Sequence, residues 1–379
     1  MLVGGPDVSA RLELVQLLRS DFRISIAGSE TGDAERLRQA GFLYHGYTLA
    51  RRVNPVSDLL TLLQLFRLFR RERPDIVHTF DTKPCAYGRL AASLARIPVV
   101  IGTLPGLGSL YIEESGVCIQ GIRFLYERVQ SLACSFSDLT IFQNSEDERY
   151  FVERRLVSPE KATVIPGSGV KTDVFSPGAV PQREVRRVRA ELGLLDDQVV
   201  ITMVSRVIRS KGVLEFAKAS QMVSQVYDNA VFLLVGPDDR DSVDRLTPRE
   251  MEEVVHAVRW LGERRDVPAI LAVTDVFVLP SYYREGIPRA LLEAASMALP
   301  LIAVDSPGSR DVVEPGVNGL LVPPRSAQDL AQAICRLIAD PLLRLQLGQR
   351  SRQKAVECFD LTSIADRLRS IYRCFLERG

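Results

Sequence analysis

The sequence lacks the marks of several protein classes. Lys and Arg number 48 against 47 Asp and Glu, leaving a net charge of +1. No broad basic surface for a nucleic-acid backbone follows, and nucleic acid is not an expected partner. The six cysteines (85, 118, 134, 335, 358 and 374) include no Cys-x-x-Cys pair. That scatter suits reduced thiols in a cytosolic protein better than a disulfide frame or a zinc site. No run of roughly 18 apolar residues is present, and no basic-then-apolar leader opens the chain. The expected place is the cytoplasm, peripheral on the inner face of the cytoplasmic membrane without crossing it. Internal repeats and low-complexity stretches are absent as well.

What remains is a chain of 379 residues, 46% hydrophobic and 25% charged. That length and balance suit two folded domains. Short apolar strands alternate with amphipathic helices, which predicts parallel sheets covered on both faces, an α/β architecture. Strands are expected at 23–27, 76–80, 99–103, 139–143 and 162–165, then at 199–205, 231–236, 276–280, 301–304 and 319–322. The run Pro166-Gly167-Ser168-Gly169-Val170, followed by Ser176-Pro177-Gly178, breaks the alternation. We therefore place an N-terminal doubly wound domain at 1–175, a second at 176–359, and a last helix at 360–379. Tandem doubly wound domains imply a cleft, with ligands at the carboxyl ends of strands. Met1-Leu2-Val3 is short for a buried strand before Gly4-Gly5: either the strand is short or the start is trimmed.

Two segments carry the chemistry. In the stretch Leu279 to Ala294 a strand ends, a polar loop presents Glu285, and a helix opens with Pro288 in its first turn. The amides and dipole of that turn suit an anion. Glu293, about two turns on, is a carboxylate able to accept both hydrogens of a ribose diol. In Val204 to Gly212, Arg206 follows a strand and Lys211 precedes a helix. Two fixed cations there can stabilise a departing nucleotide diphosphate without a metal.

These motifs resemble the donor domain of family-four retaining glycosyltransferases with the GT-B fold, two Rossmann-like domains. Glu285 and Glu293 match that family's Glu-x7-Glu pattern, and Arg206 and Lys211 its cation pair. The resemblance continues through Ile302–Val313 and Gly316–Val322 and covers essentially the whole chain. It implies that Glu285 contacts the donor sugar, Glu293 the ribose, and Arg206 and Lys211 the diphosphate. Amides near Gly286 and Ile287 would cradle sugar and phosphate, with Gly236 also on the donor side. No cofactor and no metal is expected. Transfer would proceed with retention, the leaving phosphate taking the acceptor proton.

The first half is similar to enzymes of bacterial surface-polysaccharide assembly, on Val77–Pro84, Tyr87-Gly88-Arg89 and Thr103–Gly108. That likeness implies a UDP-N-acetylhexosamine donor and a polyprenyl-diphosphate-linked glycan acceptor. The acceptor-side candidates are Gly4, Gly5, His78, Asp81, Lys83, Gly106 and Gly108. His78, read as closing its strand, is either an acceptor contact or general base, or a packed residue. Asp81 and Lys83 bind acceptor or form a helix-start charge pair. His45 and His256 read as surface residues.

Asp239-Arg240-Asp241 spells an Asp-x-Asp metal box, but lies among turn residues near two competing cations. Between positions 51 and 73, six arginines face only Asp58 and Glu72, behind an apolar run at 59–69. This reads as an anionic-membrane surface or as a core-facing helix with a solvated basic end, and the apolar stretch 119–134 as part of a membrane-facing acceptor groove. Two other classes remain open: a UDP-N-acetylglucosamine epimerase, and a non-catalytic nucleotide-sugar-binding scaffold.

Overall fold

The computed structural model describes residues 1–5, 8–29, 33–50, 54–111 and 117–378. Arg51, Arg52 and the Cys118 side chain, which entered the readings above, lie outside the described residues. The chain divides into two compact units, Met1–Ser168 with Leu361–Gly379, and Gly169–Asp360.

In the first unit the strands are β1 (Leu2–Val3), β2 (Ser25–Ser29), β3 (Leu43–Tyr47), β4 (Ile76–Phe80), β5 (Val99–Leu104), β6 (Leu139–Phe142) and β7 (Ala162–Val164). They pair in parallel in the order β3-β2-β1-β4-β5-β6-β7. The second unit holds β8 (Val199–Val204), β9 (Ala230–Val235), β10 (Arg259–Trp260), β11 (Val276–Leu279), β12 (Leu301–Val304) and β13 (Gly319–Val322). Their order is β10-β9-β8-β11-β12-β13, again parallel.

Period-two alternation explains why both faces of the second sheet are dry. Val200, Leu233, Phe277 and Ala303 enter one core, while Ile201, Leu234, Val278 and Ile302 enter the other. Strand order reverses between β1 and β4 in one sheet and between β8 and β11 in the other. Such switch points leave a crevice at the carboxyl ends of the strands. Gly4 and Asp81 directly follow β1 and β4; Ser205 and Pro280 follow β8 and β11. The motif loops thus lie where this topology opens.

Two strands escape the sequence reading, β3 and β10. Both are sheet edges, and β3 (Leu-Tyr-His-Gly-Tyr) buries only Tyr44 and Tyr47. The unit boundary also falls earlier than residue 175. Val170, Phe175 and Val180 join the second core, and Ser296 Oγ and Arg352 both donate to the Phe175 carbonyl. The last helix, Leu361–Arg378, packs within the first unit. Its stripe of Leu361, Ile364, Ala365, Leu368 and Tyr372 meets Leu14, Leu18, Val99 and Ile101. That spacing keeps one helix face on the core, at about 2 kcal/mol for each large apolar side chain buried.

Candidate functional site

Glycine lets the second unit's loops approach closely. Gly236, just after β9, has φ +142°, and a Cβ there would lie 1.8 Å from the Ser205 carbonyl oxygen. Gly212 has φ +76°, and its Cβ would lie 2.2 Å from the Pro280 oxygen. The loop after β11 is tied to the one after β8, since Tyr282 and Tyr283 amides both donate to the Ser210 carbonyl.

This packing brings Arg206, Lys211, Glu285 and Arg289 to the wall of one hollow of about 320 Å³, with Gly236, Glu263 and Arg264 beside them. Lys211 Nζ donates to Glu285 Oε1 at 2.6 Å, and Ser281 Oγ to the same oxygen at 3.1 Å. Arg206 Nη1 donates to Asp239 Oδ2 at 2.6 Å. Glu293 is not among the residues of that wall; it accepts from Arg289 Nε at 2.9 Å, one helical turn away. Pro288 is the residue before the helix Arg289–Ser296 rather than part of its first turn. Ile287 is buried in the core, and the Gly286 carbonyl lies where a Cβ on Gly308 would fall.

Sequence reasoning missed Arg289, Ser281 and the pair Glu263–Arg264. Arg289 was detectable, lying four residues before Glu293. Arg264 was not, because one of its partners is 73 positions away: it bonds Glu191 as well as the neighbouring Asp266, and Arg187 joins the same carboxylates. Its guanidinium holds the Asp266 carboxyl far below the usual range. Nearby, burial raises the Glu215 carboxyl and pushes the Tyr282 phenol up to about 12.

In the first unit the candidates are fastened to one another. Gly5 N donates to Asp81 Oδ2 at 2.8 Å, and Arg11 Nη2 to Asp81 Oδ1 at 2.8 Å. Asp81 itself sits at φ +68°, a strained backbone for a residue with a Cβ. Tyr47 donates to the Gly4 carbonyl at 2.6 Å. Lys83 Nζ reaches Asp58 Oδ1 at 2.8 Å and the Ala50 carbonyl at 2.9 Å, so Asp81 and Lys83 are not paired with each other. Gly106 and Gly108, after β5, have φ of +136° and +72°.

His78 corrects a reading. It does not close β4, which runs on to Phe80, and it is 1% exposed. Its Nδ1 lies 2.5 Å from Tyr372 Oη and its Nε2 2.7 Å from Thr103 Oγ1. Burial depresses its pKa well below the usual imidazole value, so the ring is neutral. Both ring nitrogens are engaged, one of them by Tyr372 of the last helix. His45 is half-buried rather than a surface residue, whereas His256 is exposed. Among the described residues no helix is long and apolar enough to cross a membrane.

Residues 198–340 match the family of glycosyl transferases group 1, and residues 4–167 match the glycosyl transferase 4-like domain. The chain belongs to the group 1 glycosyltransferases and is a glycosyltransferase. One relative is a UDP-Gal:alpha-D-GlcNAc-diphosphoundecaprenol alpha-1,3-galactosyltransferase of Escherichia coli, 28% identical, aligned over 98% of this chain and 94% of that one. A second, from Campylobacter jejuni, is an N,N'-diacetylbacillosaminyl-diphospho-undecaprenol alpha-1,3-N-acetylgalactosaminyltransferase, 29% identical over 89% and 87%. Among solved structures, Anabaena HepE in complex with UDP superposes with a TM-score of 0.79 at 20% identity, covering 98% and 99%. The two α/β units match the GT-B glycosyltransferase fold.

Proposed function

We propose that this glycosyltransferase moves a hexose or N-acetylhexosamine from a UDP-sugar to a glycan carried on polyprenyl diphosphate, in surface-polysaccharide assembly. The carrying observation is the shared hollow of Arg206, Lys211 and Glu285. The acceptor class is supported by the two relatives' diphosphoundecaprenol-linked acceptors. Arg206 and Lys211 hold the diphosphate and offset the charge that grows as the C1–oxygen bond to phosphate breaks. Glu285, already held by Lys211 and Ser281, orients the sugar and faces developing positive charge on its ring. Glu293 takes the ribose. The acceptor oxygen bonds C1 on the face that the phosphate leaves, and its proton goes to that phosphate, giving retention. The two cations serve in place of a metal. In the first unit, the loops of Gly4-Gly5, Asp81, Lys83 and Gly106–Gly108 form the acceptor side; His78 is left out.

The protein lies on the cytoplasmic membrane's inner face through its first unit. Exposed Val56, Leu59, Leu60 and Leu63 on helix Pro55–Glu72 and exposed Ile122, Phe124 and Leu125 on helix Val117–Ser135 support this. Both helices pack against helix Thr82–Leu94, and exposed Arg67, Arg70, Arg71 and Arg128 lie among them. Exposed apolar side chains with arginine on the same helices suit an anionic lipid surface.

The test is a screen of nucleotide sugars against polyprenyl-diphosphate glycans, read by mass spectrometry with and without excess chelator. Transfer with an unchanged anomer and full activity in chelator is expected. Nucleotide-sugar turnover without acceptor defeats the transfer reading, and chelator-sensitive transfer defeats the cation assignment. Co-sedimentation with anionic vesicles, reduced in Leu59→Ser/Leu60→Ser, is expected; equal recovery in the supernatant with and without vesicles removes the membrane placement.

A further inference from the structure

Asp239 has no part in the donor-site roles given above, yet the fold brings it to Arg206. Beyond β8 and β9 the chain segments stay side by side: Val207 N donates to the Pro237 carbonyl, and Val207 bridges Asp238. The turn between is fixed from three sides. The Gly236 amide donates to the Gly262 carbonyl, Trp260 Nε1 to the Gly236 carbonyl, and the missing Cβ of Gly236 admits the Ser205 oxygen. Three residues past that glycine the Asp239 carboxylate meets Arg206.

The two partners are unequally placed. The Asp239 side chain is 11% exposed and that of Arg206 46%. One Asp239 oxygen takes one guanidinium nitrogen, and a guanidinium carries five N–H donors in a rigid fork. The arrangement therefore leaves a face of the fork for a second anion in the hollow. A long side chain that is already held loses less rotamer freedom when its ligand arrives.

The geometry points to Asp239 as a positioning residue that presents Arg206 to the donor diphosphate. The first acid of the Asp-x-Asp triplet thus orients the cation that takes a metal's place. This rests on the assignment of Arg206 to the diphosphate. If the carboxylate were instead a stand-in that the diphosphate displaces, removing it would tighten binding.

Calorimetry of UDP and of uridine, with Mg²⁺ and with EDTA, separates these readings. The preference for UDP over uridine isolates the diphosphate, and uridine affinity controls for folding. A charge-assisted hydrogen bond supports a loss of about 10-fold or more in that preference for Arg206→Ala. Asp239→Asn, or Asp239→Ser if Asn disturbs the loop, is expected to lose about 3- to 10-fold by the same reasoning. Uridine affinity should stay unchanged, and the Arg206→Ala/Asp239→Asn double variant should match Arg206→Ala. Wild-type preference or tighter UDP in Asp239→Asn overturns the role, as does an Asp239 effect that adds fully to that of Arg206. Mg²⁺ enhancement present in wild type and lost in Asp239→Asn makes Asp239 a metal ligand and also overturns it. A wild type with no preference for UDP, or Arg206→Ala with wild-type preference, fails the donor assignment itself and takes this role with it.

Discussion

The carboxyl edges of the two sheets carry similar kinds of residue and use them differently. In the second unit Lys211, Arg206 and Arg289 each have a carboxylate partner and still line an open hollow. In the first unit, charged and polar groups of equal prominence in the sequence are fastened to one another beside the proposed acceptor loops. Asp81 holds the glycine turn and Arg11, Lys83 ties down Asp58 and the Ala50 carbonyl, and His78 clasps Tyr372. A polar residue after a strand is therefore not yet a site. It becomes one where its partners leave donors and acceptors facing a shared volume.

Substitutions sharpen or break that contrast. The largest effect is expected on turnover: Glu285→Ala or Lys211→Ala should lower transfer about 10²–10³-fold with the thermal midpoint nearly unmoved. Near-normal rates in both would erase the distinction between the two edges. Gly236→Ala, which sets a methyl against the Ser205 oxygen, should cost about 3 kcal/mol or more and weaken UDP binding. Chemical denaturation with UDP titration measures both. Tyr372→Phe in the first unit should cost about 1 kcal/mol and leave turnover within about twofold, as befits a structural hydrogen bond. A large fall in its rate at unchanged stability would return His78 to the chemistry.

The buried imidazole also has a pH signature. Burial lowers its folded pKa, so below the unfolded value of about 6.5 the unfolded chain binds a proton that the folded chain refuses. Stability should decline as pH falls from there, less steeply in His78→Gln. The smallest effect is expected at Glu250. Burial pushes its carboxyl up, but bonds from Thr247 and Arg209 prevail and hold it down to about 2. Its contribution is present above the ordinary carboxylate pKa and is lost as pH falls towards 2. Glu250→Gln should cost about 1 kcal/mol at neutral pH, and its deficit should shrink in acid. An unchanged deficit at pH 3 would speak against the ion pair with Arg209.

The alternation of apolar strands and helices made the two parallel sheets legible, with Ile76–Phe80, Leu301–Val304 and Gly319–Val322 placed to the residue. Those strands are mostly apolar in sequence, broken by His78, Thr79 and Gly319. Leu43–Tyr47 and Arg259–Trp260 were missed because edge strands need not be apolar throughout. The helix Ser145–Glu153 was missed too, since it opens with three acids and buries little beyond Phe151. In the hollow, the sequence singled out Arg206 after a strand, Lys211 before a helix and Glu285 in a polar loop. It could not show that Asp239 faces Arg206 across a neighbouring loop, nor that Tyr372, 294 positions along the chain, reaches His78.

The split composition of the first unit has a consequence for its biosynthesis. Its sheet is translated before Ser168, but the helix that covers Leu14, Leu18 and Ile101 begins only at Leu361. Residues Gly169–Asp360 form one continuous stretch and can complete their core as they leave the ribosome. The earlier unit must wait, with an apolar flank uncovered, until Leu361–Arg378 has been translated after the whole of the second unit. Nascent chains stalled before Leu361 are thus the form of this protein most in need of a chaperone.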